Sequence, residues 1–227
     1  MLFRIFMQEG SISEKLQYLV FALIALVIAL TLHEFAHALV ANLCGDPTSK
    51  AQGRLSLNPL RHIEPFGFVT LLLFGMGWAK PVNIRPSRFR HPRLGCVLTS
   101  AAGPASNFLQ ALIFSFFFLL CSAEAIIKDS VILDNLSFLL QLLVSYNVSL
   151  GIFNLIPIPP LDGSKIIGEL LPYKAQRAYY SIERFGFLIA FGIVILLDYT
   201  GIYDYVFLKT ANAFINVWVP VVGAIIS

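Results

Sequence analysis

From Leu16 to about Asn42 the chain is apolar on every side of a helix, yet the last third of this segment holds Thr31-Leu32-His33-Glu34-Phe35-Ala36-His37. A run of this length crosses the roughly 30 Å hydrocarbon core of a bilayer with some tilt. It is too long for the core of a cleaved leader and ends in ionisable residues, so it reads as a retained span. In such a setting each ionisable side chain costs on the order of a few kcal/mol unless it is paired or bound. Three of them within five residues therefore point to a shared task. On a helix His33 and His37 stand about 40° apart around the axis and about 6 Å along it, so one metal ion can touch both. Glu34 points to the adjoining face, where it can hold and deprotonate a water without being a ligand, which is the mechanical content of H-E-x-x-H. A solvated polar face, the ordinary source of this spacing in soluble helices, does not suit neighbours such as the apolar stretch Leu19 to Leu30.

The rest of the composition agrees with a membrane setting. Of 227 residues 57% are hydrophobic and 13% charged, with mean hydropathy +0.77, outside the range of soluble globular proteins. In a membrane protein the placement of Lys and Arg matters more than the net charge of +3. Nothing supports nucleic-acid binding. Cys44, Cys96 and Cys121 have unrelated spacings and read as small apolar residues, with neither a disulfide framework nor a metal knuckle.

The chain therefore reads as an all-α polytopic membrane protein with about 4 to 5 transmembrane helices, a re-entrant Gly-rich segment and short β strands between the first and second spans. It forms one domain over residues 1–227, with a core at 16–168 and C-terminal helices at 185–227. Residues 1–15 suit an interfacial segment, and Gly45-Asp46-Pro47 ends the first helix. Between Thr48 and Arg93, eight Lys and Arg face a single acidic residue, Glu64, which places this region on the cytoplasmic side. Within it Ala51 to Leu57 alternates like a strand. Pro65 to Trp78, with Gly67, Gly75 and Gly77, is too short to span and suits a re-entrant or interfacial piece, partly strand. The stretch from Gly67 to Pro81 is expected to pair with an unwound substrate as an added strand.

Leu94 to Ser122 is the second span, interrupted near its start at Gly103-Pro104 and carrying Asn107, and the turn from Ala123 to Asp134 lies outside. The third span runs from Leu136 to about Pro160, the next loop from Ser164 to Arg184 is again basic and cytoplasmic, and Phe185 to Leu197 makes a short fourth span. The tail from Ala211 is either interfacial or a fifth crossing. By this parity spans one and three run in the same direction, so Asp162 arrives at the depth of His33 and His37. Asp162 has two readings, an N-cap of the helix opening at Gly163 or Ser164 and a third metal ligand, and the matched depth favours the ligand. Asn107 reads equally as an interhelical hydrogen-bonding residue. His62, His91 and Cys44 are isolated and do not suit a ligand role.

His33-Glu34-Phe35-Ala36-His37 together with Asn154-Leu155-Ile156-Pro157-Ile158-Pro159-Pro160-Leu161-Asp162-Gly163 resembles the paired motifs of the site-2 protease family, HExxH and N-x-x-P-x-x-x-L-D-G. Gly103-Pro104-Ala105-Ser106-Asn107 resembles the segment between them. The resemblance covers roughly residues 26–168 and is to a compact prokaryotic member, with no PDZ or CBS domain in this chain and no span before the histidine-bearing one. It implies an intramembrane zinc metalloprotease that cleaves peptide bonds within or near transmembrane segments of membrane proteins. One Zn2+ per chain would be held by His33, His37 and Asp162, with Glu34 as general base. Asn154 and Asn107 would hold substrate backbone or the developing oxyanion. The implied partners are a substrate transmembrane helix and the lipid bilayer, in the inner membrane of a prokaryote with the site toward the cytoplasm. Two other classes stand beside it. A catalytically silent zinc-binding membrane protein would regulate a partner, but it has no need of Glu34. A transporter would need polar residues along a path, whereas these cluster at one depth.

Overall fold

The computed structural model describes residues 10–74 and 79–226. Helix α1 (Ile12–Leu43) opens on a capping box: Ser11 Oγ accepts from the amide of Glu14, and the Glu14 carboxylate accepts from the amide of Ser11. Two amides that a helix start leaves open are thereby satisfied. After α1 come α2 (Thr48–Ala51), α3 (Pro65–Phe74), α4 (Pro92–Lys128) and α5 (Val131–Leu155). The chain finishes with α6 (Asp162–Leu170), α7 (Tyr173–Tyr180), α8 (Gly186–Tyr199) and α9 (Ile202–Ile226).

Helices α1, α4 and α5 form the centre of the molecule. Asn135 at the start of α5 accepts from Gln17 at the start of α1, whereas Asn107 midway along α4 reaches both Ala29 and Asn147. Thus α1 and α5 run parallel, with α4 antiparallel to both. Ala22, Ala25 and Ala29 are fully buried and let α1 approach its neighbours closely. Leu140, Leu142 and Leu143 of α5 complete this layer under the rings of Phe21, Phe138 and Phe114. Helix α9 packs on the same unit, with Ala211 against Ala111, Val144 and Val148, and Trp218 Nε1 donating to the Leu112 carbonyl at 2.8 Å.

Among the described residues four helical stretches are long and apolar enough to cross a membrane: Ile12–Leu43, Pro92–Lys128, Val131–Leu155 and Asp204–Ile226. The fourth is the C-terminal tail. The span expected over Phe185 to Leu197 corresponds to α8, which at 14 residues is short of a crossing. Tyr173–Phe185 and Leu188–Leu197 meet at a 77° bend and would count as a fifth span only if taken together. The third span ends at Leu155, because the prolines at 157, 159 and 160 stop it sooner than Pro160. The break expected at Gly103-Pro104 does not occur, and α4 continues through the buried Pro104. A proline within a helix removes one backbone bond and need not end it where neighbouring helices enclose the turn.

No strand forms over Ala51 to Leu57. Ala51 closes α2, and the amides of Gln52 and Arg54 turn back to the carbonyls of Thr48 and Ser49 instead of to a neighbouring strand. Alternation alone does not make a strand without an edge to pair with. Among the described residues the β structure is a single bridge between Ile63 and Ala79. Of the piece expected to be re-entrant or interfacial and partly strand, Pro65–Phe74 is α-helix and not strand, while residues 75–78 lie outside the described residues.

The polar connection from α1 to α4 is tied down by one buried carboxylate. Asp46 accepts from the amide and hydroxyl of Thr48 on one oxygen and from the Arg85 amide on the other. Nearby the Ser49 hydroxyl donates to the Asn83 carbonyl and the Arg90 amide to the Cys44 carbonyl. Burial pushes the Asp46 carboxyl up, but the hydrogen bonds from Thr48 and Arg85 and the charge of Arg88 outweigh it, and the group is held below its ordinary value. A carboxyl whose folded pKa is depressed adds stability above its unfolded pKa and loses it as pH falls through the folded one. Asp46→Ala should therefore lower stability by about 1–3 kcal/mol at neutral pH. Thermal melting in detergent should show the gap to wild type narrowing in acid; a gap independent of pH would contradict this account.

Candidate metal centre

The helical repeat of α1 puts His33 and His37 on one buried face, one turn apart, with their rings edge to face at 4.6 Å between centroids. Asp162 reaches them from α6, which begins seven residues after α5 ends. The intervening chain doubles back so tightly that a Cβ on Gly163 would overlap the Leu155 carbonyl oxygen. This explains why the aspartate is followed by glycine. The N-cap position of α6 is taken by Leu161, so the Asp162 side chain is not a cap and turns to the imidazoles.

The three side chains converge. His33 Nε2 and His37 Nε2 are 3.0 Å apart, and Asp162 Oδ2 lies 3.2 Å from the first and 3.1 Å from the second. Among the described residues they form the one group of three or more His, Cys, Asp or Glu side chains that could hold a metal ion. The other oxygen of Asp162 accepts from Lys165 Nζ at 3.1 Å, which holds the carboxylate from outside.

Hydrogen bonds on the far side of each ring determine which nitrogen is free. His37 Nδ1 donates to the Thr99 carbonyl at 2.6 Å, and a carbonyl can only accept. His33 Nδ1 donates to Asn107 Oδ1 at 2.6 Å. With both Nδ1 atoms protonated, both Nε2 atoms offer lone pairs to the space they share with Asp162. Three acceptors with no hydrogen between them call for a cation, and two imidazoles with a carboxylate fit a tetrahedral metal that keeps one open position. Helix α4 passes close because residue 103 has no side chain: a Cβ there would lie 2.6 Å from His33 Nε2 and overlap His37 Nε2.

Glu34 is buried beside this group, and no described side chain or amide donates to its carboxylate. Asn107 is fully buried with both ends of its amide engaged, Oδ1 with His33 and Nδ2 with Asn147 at 2.8 Å, which is the interhelical alternative to an oxyanion role. Asn154 is half-buried in the last turn of α5 and donates to the Leu150 carbonyl of its own helix at 3.1 Å. His62 bonds the Ser56 carbonyl inside the polar connection, and His91 is the exposed N-cap of α4. Thr99, Asn147 and Lys165 were not singled out from sequence. A backbone carbonyl leaves no sequence signal, and a lone Asn in an apolar span has no fixed spacing to the histidines.

The family pattern described as Peptidase family M50 matches residues 21–197. The chain is 38% identical over 193 residues to a Bacillus subtilis protein named "Putative zinc metalloprotease YwhC", covering 85% of this chain and 86% of that one. It is 32% identical over 179 residues to "Putative zinc metalloprotease Rip2" of Mycolicibacterium smegmatis, covering 75% of this chain and 64% of the relative. A Mycobacterium tuberculosis protein of the same name is 29% identical over 178 residues, with the same two shares. No solved structure matches the chain.

Gly103→Ala tests the close approach of α4. The added methyl has to displace an imidazole, so affinity for zinc, measured by chelator competition, should fall about 10–100-fold, the range for disturbing the support of a ligand. Gly192→Ala, where a Cβ meets nothing within 4 Å, is the control and should leave zinc binding unchanged. Equal affinity in the two variants would count against the packing described.

Proposed function

The chain belongs to peptidase family M50, the site-2 protease family, and from that premise we propose that it is an intramembrane zinc metalloprotease. It hydrolyses peptide bonds within or near transmembrane segments of membrane proteins. The observation that carries the proposal is the convergence of His33, His37 and Asp162 to within 3.2 Å of one another amid helices apolar enough to cross a bilayer. One Zn2+ per chain would be held by these three side chains. When bound, zinc supplies a Lewis acid that polarises a peptide carbonyl and makes water acidic enough to lose a proton near neutral pH.

This chain's own residues do the rest. Glu34, next to a ligand on the same turn and free of protein donors, takes the proton of the attacking water and passes it to the leaving amine. Asn107 and the Thr99 carbonyl keep the two imidazoles in the tautomer that binds metal. Asn154, in the last turn of α5 before the loop that leads to Asp162, exchanges its bond to the Leu150 carbonyl for one to the substrate backbone or the developing oxyanion. A silent zinc-binding protein would have no use for a carboxylate at residue 34 beside the ligands. The basic residues between α1 and α4 and between α5 and α8 support a cytoplasmic position for this end of the helices, in a prokaryotic plasma membrane.

Cleavage of a single-span reporter by purified protein in detergent, with metal content determined in parallel, tests the assignment. Wild type should cleave. Glu34→Gln should hold equal zinc and lose about 100–10,000-fold in rate, whereas His33→Ala should lose zinc and cleavage together. A Glu34→Gln protein as active as wild type would remove Glu34 from the mechanism.

A further inference from the structure

The two histidines obtain their tautomers by different means. His37 donates to a backbone carbonyl, which has one polarity. His33 donates to the side-chain amide of Asn107, which has two: turned over, it would offer an N–H to His33 Nδ1 and drive the ring proton to Nε2, so that an N–H would point among the ligands. Something has to hold the Asn107 amide one way round.

The structure supplies that hold through a second asparagine. Asn147, fully buried on α5, donates from Nδ2 to the Leu143 carbonyl at 2.9 Å. Because that carbonyl can only accept, Asn147 must present Oδ1 on its other side. There it accepts from Asn107 Nδ2 at 2.8 Å, which turns Asn107 Oδ1 toward His33. The Ala29 carbonyl also faces Asn107 Nδ2, but at 3.5 Å, the weak limit of a hydrogen bond, so Asn147 is the principal anchor. The polarity of one peptide group on α5 is thus passed through two amides to a ring on α1.

We propose that Asn147 is a positioning residue of the metal centre, which by fixing the direction of the Asn107 amide keeps the lone pair of His33 Nε2 facing His37 and Asp162. The proposal rests on the reading of His33 as a metal ligand. Asn147 touches neither ligand nor substrate in this role, and its effect runs entirely through Asn107.

The test uses the full chain in detergent and has two readouts besides catalysis. Zinc affinity by chelator competition should weaken about 10–100-fold in Asn147→Leu. In an Asn107→Leu background the same change should add less than about twofold, because the link it acts through is already gone. Asn147→Asp should stay within a few-fold of wild type, since a neutral, protonated carboxyl buried here offers the same donor to Leu143 and the same acceptor to Asn107. The second readout is the ring 15N spectrum of zinc-free protein above the histidine pKa, with His33 assigned by its absence from His33→Ala. Wild type should carry the proton on Nδ1, and Asn147→Leu should shift it to Nε2, which a loss of packing alone would not do. A wild-type ring protonated on Nε2 would overturn the proposal without any variant, as would full additivity of the Leu substitutions at 107 and 147. Wild-type zinc affinity in His33→Ala would instead remove the ligand assignment beneath it.

Discussion

Three lone-pair donors held within 3.2 Å of one another in an apolar helical bundle form the constraint on which the rest of the architecture depends. Burying such groups without a cation is costly, because nothing nearby solvates them and each repels the other two. Bringing them together is therefore coupled to metal binding, and the surrounding elements can be understood as parts that keep the set from relaxing apart. Alanines at 22, 25 and 29 let α1 sit deep among its neighbours, and the bare backbone at residue 103 lets α4 pass against the imidazoles. Larger residues would separate the helices that supply the ligands from those that orient them.

The site divides its labour between regular and irregular backbone. The two histidines need only the repeat of one helix, so α1 brings them together before any tertiary contact forms. Asp162 comes from a separate piece of chain. The chain leaves α5 at Leu155, crosses a proline-rich loop and starts α6 on the aspartate. Here the Tyr179 hydroxyl donates to the Pro157 carbonyl, and Gly186 at the start of α8 lies directly on Pro159. Tyr179 of α7 and Gly186 of α8 thus brace the arm that carries one ligand.

How much of this was legible in the sequence follows from the range of each interaction. That His33 and His37 share one face was readable because their relation is local and set by helical spacing. Asp162 was readable at one remove, since charge parity between loops placed it at the right depth, and the structure brings it to both imidazoles. The strand expected over Ala51 to Leu57 was misread because alternation is a local property, whereas a strand needs a partner, and Thr48 and Ser49 claim the backbone amides first. Pro104 was misread as a break because its effect depends on what packs around that turn of α4. The C-terminal tail is a long helix because Leu112 and Ala111 of α4 receive it, and no feature of residues 202–226 names that surface.

The tautomer of His33 illustrates why side chains that set polarity escape sequence reading altogether. A metal ligand has to be one of a few residue types at a constrained spacing, so a motif can carry it. The group behind the ligand needs only to accept a hydrogen bond from Nδ1, and a backbone carbonyl does this for His37 with no signal in the residue at that position. Where a side chain does it, as at Asn107, the amide brings an ambiguity that a carbonyl lacks, and a further residue has to resolve it. In water that ambiguity costs little, because solvent satisfies either orientation. In an apolar bundle the wrong orientation leaves a donor facing a donor. The low dielectric that makes the ligand set expensive also gives this chain of amides a single direction, from the Leu143 carbonyl through Asn147 and Asn107 to the ring.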